Sequence, residues 1–193
     1  MPVRPAPKRR NAARPAEHKA APTEAARQVR KKLTAAAAAA RQRTVTPYLA
    51  VSDAAKALAW YAEAFGAKEL SRNLVPNGKI MHAAMQVGDS TVYLSDVFPG
   101  SELSDPQTLG GTCVNLHIYH KDVDRLWQRA VDAGATVTMQ LANQFWGERY
   151  GKIRDPFGHS WAFACEAEMS EDERERMQAA AMRMFSTGLG RES

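Results

Sequence analysis

The sequence predicts an α+β fold made of two tandem βαβββ units, and two observations carry the prediction. One order of residue types occurs twice along the chain. In each copy a helical stripe, with apolar residues recurring every three or four positions, stands between strand-like runs. The first copy runs from 44–51 past Asp53 into AAKALAWYAEAFGA and closes with strands around 79–87 and 90–96. The second runs from 112–119 past Asp122 into VDRLWQRAVDAGA and closes with strands around 148–154 and 159–165. A duplicated unit of this kind is expected to place its pocket where the halves meet.

Each element has its own justification. Residues 1–22 are rich in Pro, Ala, Lys and Arg and nearly lack large apolar side chains, so a disordered tail is expected. Residues 23–43 turn to good helix formers but offer only Val29 and Leu33 as sizeable apolar groups, which predicts a solvated helix without a core of its own. In the first repeat helix Leu58, Ala62 and Phe65 fall on one face. In the second, Val123, Leu126, Trp127 and Ala130 do so. Asp53 and Asp122 are placed to cap these helices, and Gly66 and Gly134 to end them in left-handed backbone. Val87-Gly88-Asp89-Ser90 and Asp155-Pro156-Phe157-Gly158 read as turns between consecutive strands. Beyond Cys165, Ser170 and Glu173 form a capping box for a helix whose Met177, Ala181, Met184 and Phe185 share a face up to Gly188. That helix is expected to dock on its own domain or on a partner subunit, a lid over the pocket being the other reading. The domain limits that follow are 1–43 for the tail, 44–168 for the paired domain, with halves 44–98 and 111–168, and 169–193 for the C-terminal helix and tail.

Charge is distributed unevenly. Residues 1–43 hold 12 Lys or Arg against Glu17 and Glu24, a net of +10, so the overall +5 leaves the remainder at −5. No apolar run approaches the roughly 20 residues of a membrane span, and no apolar stretch follows the basic N-terminus as a secretory signal would require. A cytoplasmic protein with no membrane association is expected. Cys113 and Cys165 fall inside predicted strands and lack metal-site spacing, which reads as two buried thiols.

The signatures P-Y-L-A-V-x-D-A at 47–54, W-Y-x-x-A-F-G-A at 60–67 and D-P-F-G-H-x-W at 155–161 resemble the vicinal oxygen chelate superfamily, also called the glyoxalase and bleomycin-resistance fold. The resemblance covers about residues 44–168, and the run from Asn143 to His159 is similar to the PhnB-like branch. It implies that in metal-dependent relatives each half presents two ligands, one on its first strand and one on its last, so that four His, Glu or Gln side chains surround a divalent ion. Matched through the internal repeat, those positions fall on Thr46, Tyr93, Asn115 and Ala162. Ala162 has no donor atom, and Thr, Tyr and Asn are unusual ligands for zinc, nickel or iron. No cofactor is expected on that ground; a metal set made of His82, His117 and Glu148 is the alternative.

Strand parity aims Tyr48, Tyr93, Asn115 and His117 into the pocket, a lining of rings, an amide and an imidazole suited to a small oxygenated or aromatic ligand. Trp146 and Arg149 are expected at its rim, where Arg can grip a carboxylate or phosphate. His117 is the candidate general base, since imidazole titrates near neutrality. The alternative is that His117 and Asn115 satisfy each other inside a packed core. Three functions follow. The first is metal-independent binding of a small ligand in the crevice between the halves, of the bleomycin-resistance type that needs two protomers. The second is a divalent-metal-dependent lyase or isomerase like glyoxalase, or a thiol-transfer resistance enzyme. The third is sequence-independent nucleic-acid association through residues 1–43. Relatives commonly form dimers, so a homodimer is expected.

Overall fold

The computed structural model describes residues 44–186. The first half comprises β1 (Tyr48–Val51), α1 (Ala54–Phe65), β2 (Lys68–Leu74), β3 (Ile80–Val87) and β4 (Ser90–Asp96). A connection bearing the short α2 (Pro106–Leu109) leads to the second half: β5 (Asn115–Tyr119), α3 (Val123–Asp132), β6 (Thr136–Asn143), β7 (Glu148–Arg154) and β8 (Ser160–Glu166). Helix α4 (Glu171–Ser186) follows. The halves form separate four-stranded sheets of identical topology, β1-β4-β3-β2 and β5-β8-β7-β6, in which the first and last strands of each half pair in parallel. Two tandem βαβββ units are therefore present. Among the described residues, no helix is long and apolar enough to cross a membrane. The expectations for residues 1–43, and for the stretch from 187 that includes Gly188, lie outside the described residues.

Helix α1 begins where the Asp53 carboxylate accepts a hydrogen bond from the Lys56 amide at 3.0 Å, and it ends at Gly66 in left-handed backbone. Its buried face is wider than the stripe read from sequence: Ala54, Ala57, Leu58, Trp60, Tyr61, Ala64 and Phe65 are buried, whereas Ala62 is exposed. The reason is that α1 packs on its own sheet and on α3 together, so it needs two adjoining stripes. In α3 the expected Val123, Leu126, Trp127 and Ala130 are buried. Asp122 stands at the N-cap position, but its carboxylate pairs with Arg125 at 3.0 Å and makes no cap hydrogen bond. Asp53→Ala should therefore cost about 1 kcal/mol by chemical denaturation, and Asp122→Ala only about 0.3 kcal/mol, because an exposed ion pair contributes little.

The halves share one core. Rings from α1 (Trp60, Tyr61, Phe65), α3 (Trp127) and β8 (Trp161, Phe163) pack edge to face or tilted, with Phe65 and Trp161 centroids 4.7 Å apart. Polar bonds cross the same boundary. Trp60 Nε1 donates to the Ala133 carbonyl at 2.7 Å, and the Arg129 guanidinium donates to the Glu63 carbonyl. The buried Asp155 carboxylate accepts from Tyr61 Oη at 2.7 Å, Trp161 Nε1 at 2.8 Å, and the amides of Phe157 and His159 at 2.9 Å. Burial, and then the adjacent Asp155 charge, push the Tyr61 phenol well above its ordinary range. His159, in the turn before β8, is buried with Nε2 3.0 Å from the Ala50 carbonyl in the other half.

The C-terminal helix starts as expected, with Ser170 Oγ accepting from the Glu173 amide at 3.2 Å. None of its residues is buried, and Met184 and Phe185 are exposed. It meets the domain at the turn before β7, where Phe185 lies 6.2 Å from Phe145 between ring centroids. The cysteines depart from expectation too. Cys113 precedes β5 and is exposed, Cys165 on β8 is half-buried, and both are free thiols. The β5 ladder starts only at Asn115, which leaves Cys113 outside any strand.

Candidate functional site

Helices cover one face of each sheet and leave the other open, and the register decides which residues stand there. In the first half Tyr48 pairs with Tyr93, and Tyr93 with Ala84. The core-facing neighbours are Leu49, Leu94 and Ala83, all buried. Tyr48 and Tyr93 thus share the open face, joined by His82. The three rings contact one another with centroid separations of 5.6 Å (Tyr48–His82), 6.1 Å (Tyr48–Tyr93) and 4.9 Å (His82–Tyr93). Tyr48 Oη lies 3.2 Å from His82 Nδ1. Although aromatic residues on strands usually join a core, Tyr48 remains 41% exposed.

The open face of the second sheet is ordered in cross-strand rows. Asn115, Ser160 and Arg154 form one; His117, Ala162 and Lys152 the next; Tyr119, Ala164 and Tyr150 the third. Ser160 Oγ donates to Asn115 Oδ1 at 2.8 Å, so Asn115 is satisfied by Ser160 and not by His117. The His117 ring packs against Tyr150 at 5.9 Å, and Tyr150 against Trp146 at 5.6 Å. Trp146 is exposed, and its indole nitrogen donates to Glu148 at 2.9 Å.

Arg149 stands apart from this set. It alternates with Tyr150 and Lys152 along β7, pairs with Cys165, and so points to the helix side of the sheet. There its guanidinium grips Asp124 of α3 through Nε at 2.9 and 3.0 Å and through Nη2 at 2.6 Å. These bonds hold the Asp124 carboxyl below its usual range. Burial, and then the Asp124 charge, raise the neighbouring Cys165 thiol, which makes it a poor nucleophile.

A groove of about 620 Å³ runs along the seam between the β3–β4 turn and β5. Its lining includes Asn115, His117 and His120, with Phe65, Leu116 and Trp161 supplying apolar surface; Tyr48, Tyr93, Trp146 and Arg149 are not part of it. The structure therefore gathers the sequence-selected residues in two places. Tyr48 and Tyr93 lie on the first sheet, and Asn115 and His117, with Trp146 beyond Tyr150, on the second. His82, Tyr150, Lys152 and Ser160 complete these faces. Alternation along 148–154 would have found Tyr150 and Lys152, since even positions must face away from Arg149.

The four matched positions do not present a donor set for a divalent ion. Thr46 falls before β1, Asn115 is bonded to Ser160, Tyr93 lies in a ring cluster, and Ala162 offers no donor. Among the described residues no three His, Cys, Asp or Glu side chains come together, so His82, His117 and Glu148 do not form the alternative set.

Comparison with known proteins agrees with this architecture. An uncharacterized protein of Mycobacterium tuberculosis is 44% identical over 149 residues, 76% of this chain and 85% of that one. The crystal structure of TioX from a Micromonospora species is 29% identical, with a TM-score of 0.51 over 66% of this chain and 99% of TioX. The PhnB protein of Bacillus cereus, 15% identical, shares the fold with a TM-score of 0.50 over 64% of this chain and 99% of its own. The model of one family matches residues 41–163, and with it the doubled βαβββ architecture has a name: the chain belongs to the Glyoxalase/Bleomycin resistance protein/Dioxygenase superfamily.

Proposed function

We propose that this protein binds a small ring-bearing organic molecule without a resident metal, and that a homodimer completes the site. The observation that carries the reading is that the four matched positions offer no donor set, while a cluster of rings stands at one of them. Where a metal-dependent relative would place a ligand, Tyr93 packs against His82 and Tyr48, and Ala162 lies in the row between His117 and Lys152. Such faces bind planar molecules by stacking and orient them through phenol and imidazole groups. The homodimer is supported by the two faces lying on separate sheets, and by exposed apolar groups beside them, among them Leu70, Leu74, Met81, Tyr119 and Trp146. Closing two such faces against each other would shield those groups and enclose a ligand.

The test combines thermal shift with metal analysis. Zinc, nickel, manganese and ferrous ions should leave the melting temperature unchanged, small aromatic ligands should raise it, and sedimentation should give twice the monomer mass. A stoichiometric metal in the purified protein, or a rise in melting temperature with one ion alone, would overturn the metal-independent reading.

A further inference from the structure

We infer that the molecule held by the second sheet carries an oxyanion, a carboxylate or phosphate group, bound by Lys152 together with His117 and Arg154. This rests on the ring-binding reading and names the ligand class of that site. The argument starts from the register. His117, Ala162 and Lys152 occupy one row across β5, β8 and β7, and Asn115, Ser160 and Arg154 the row beside it. Strands lie about 4.8 Å apart, so Lys152 and His117 stand about 10 Å apart across Ala162, whose methyl leaves room for the longer side chains to converge. The six positions offer an ammonium, a guanidinium, an imidazole, a hydroxyl and an amide, and no carboxylate.

Acids enter this face only beyond the Tyr119–Ala164–Tyr150 row, at Glu166 and Glu148, and Glu148 is engaged by the Trp146 indole. Among the described residues Lys152 and Arg154 make no ion pair, unlike Lys56, Arg72, Arg125, Arg149 and Arg174. The Lys152 ammonium lies 5.9 Å from the centre of the Tyr150 ring. A half-buried cation, flanked across the sheet by a second cation and neutral donors, favours an anion there, although Asp89 and Asp122 border the groove that Asn115 and His117 also line. The adjoining Tyr150 and Trp146 rings suit the apolar body of the same molecule. Anion recognition thus belongs to Lys152, while Arg149, the arginine the sequence offers for it, is committed to Asp124 on the opposite face.

Calorimetric titration of the full-length protein with phenylphosphonate, benzoate and neutral benzyl alcohol tests the inference. The two anions should bind at least tenfold more tightly than the alcohol, and the preference should shrink as salt is raised. Lys152→Gln should bring anion affinity down to that of the alcohol, Lys152→Arg should keep most of the preference, and Lys56→Gln on α1 should leave it unchanged. Equal binding of the alcohol and the anions, or a preference that survives Lys152→Gln, overturns the anion inference and leaves ring binding standing. Failure of all three probes to bind overturns both.

Discussion

Asp155→Ala is expected to remove about 4–6 kcal/mol of folding stability, a large share of the roughly 5–15 kcal/mol that a domain has. The carboxylate satisfies four donors: the Tyr61 hydroxyl, the Trp161 indole and two turn amides. Truncation leaves all four without a partner in a site too enclosed for bulk water, and each orphaned donor costs about 1–3 kcal/mol. Chemical denaturation should show the midpoint collapsing with a largely unchanged slope if the fold survives. Asp155→Asn is the informative companion. Its amide keeps one acceptor oxygen but turns a donor toward either the indole and phenol or the turn amides, so it should recover only part of the loss. A midpoint within about 1 kcal/mol of wild type for Asp155→Ala would show that water replaces the carboxylate and that the cross-half bonds matter little.

The second large effect is expected at Gly151. A Cβ there would meet Trp127 Cζ3 at 2.7 Å and the Leu141 backbone at 2.8 Å, so a methyl must displace either the core of α3 or strand β6. Gly151→Ala should cost about 3 kcal/mol, the upper range for overpacking a tight core. Gly88→Ala provides the contrast, because no atom lies within 4 Å and only the positive φ of 59° is strained; about 1 kcal/mol is expected. Because Gly151 sits between Tyr150 and Lys152, its substitution should also weaken ligand binding, whereas Gly88→Ala should not. Equal denaturation midpoints for the two variants would refute the packing argument.

Much of this architecture could be read from the residues. The repeat gave both helices and six of the eight strands to within a few positions, because Leu126, Trp127 and Ala130 or Leu58 and Phe65 recur at helical spacing and the two turns punctuate the chain. Strand β2 was harder. Its residues are all exposed, so no alternation of apolar and polar faces marks it. Strand β6 does alternate, Val137, Met139 and Leu141 being half-buried between exposed neighbours, and it can be delimited from that pattern.

The site was legible only in part. Parity placed Tyr48 with Tyr93 and Asn115 with His117, but it cannot say that the two pairs lie on different sheets. Nor could motif resemblance show that Arg149 faces the helices, since that follows from its alternation with Tyr150 and Lys152 and from Asp124 of α3, which is remote in sequence. The place of His82 in the ring cluster is not visible in sequence, because its contacts with Tyr48 and Tyr93 are made across strands.

The bonds that join the halves bear on how such a chain can evolve. Tyr61 belongs to the first repeat and its carboxylate to the second; His159 belongs to the second and its carbonyl partner, Ala50, to the first. Each repeat has thereby given up a piece of its self-sufficiency to the other. A fragment ending in the connection around α2 would expose Trp60, Tyr61 and Phe65 to water and leave a phenol without its acceptor. Separating the two copies would therefore cost the core these contacts unless another chain covered the same rings, while the open faces are under no such tie and can differ.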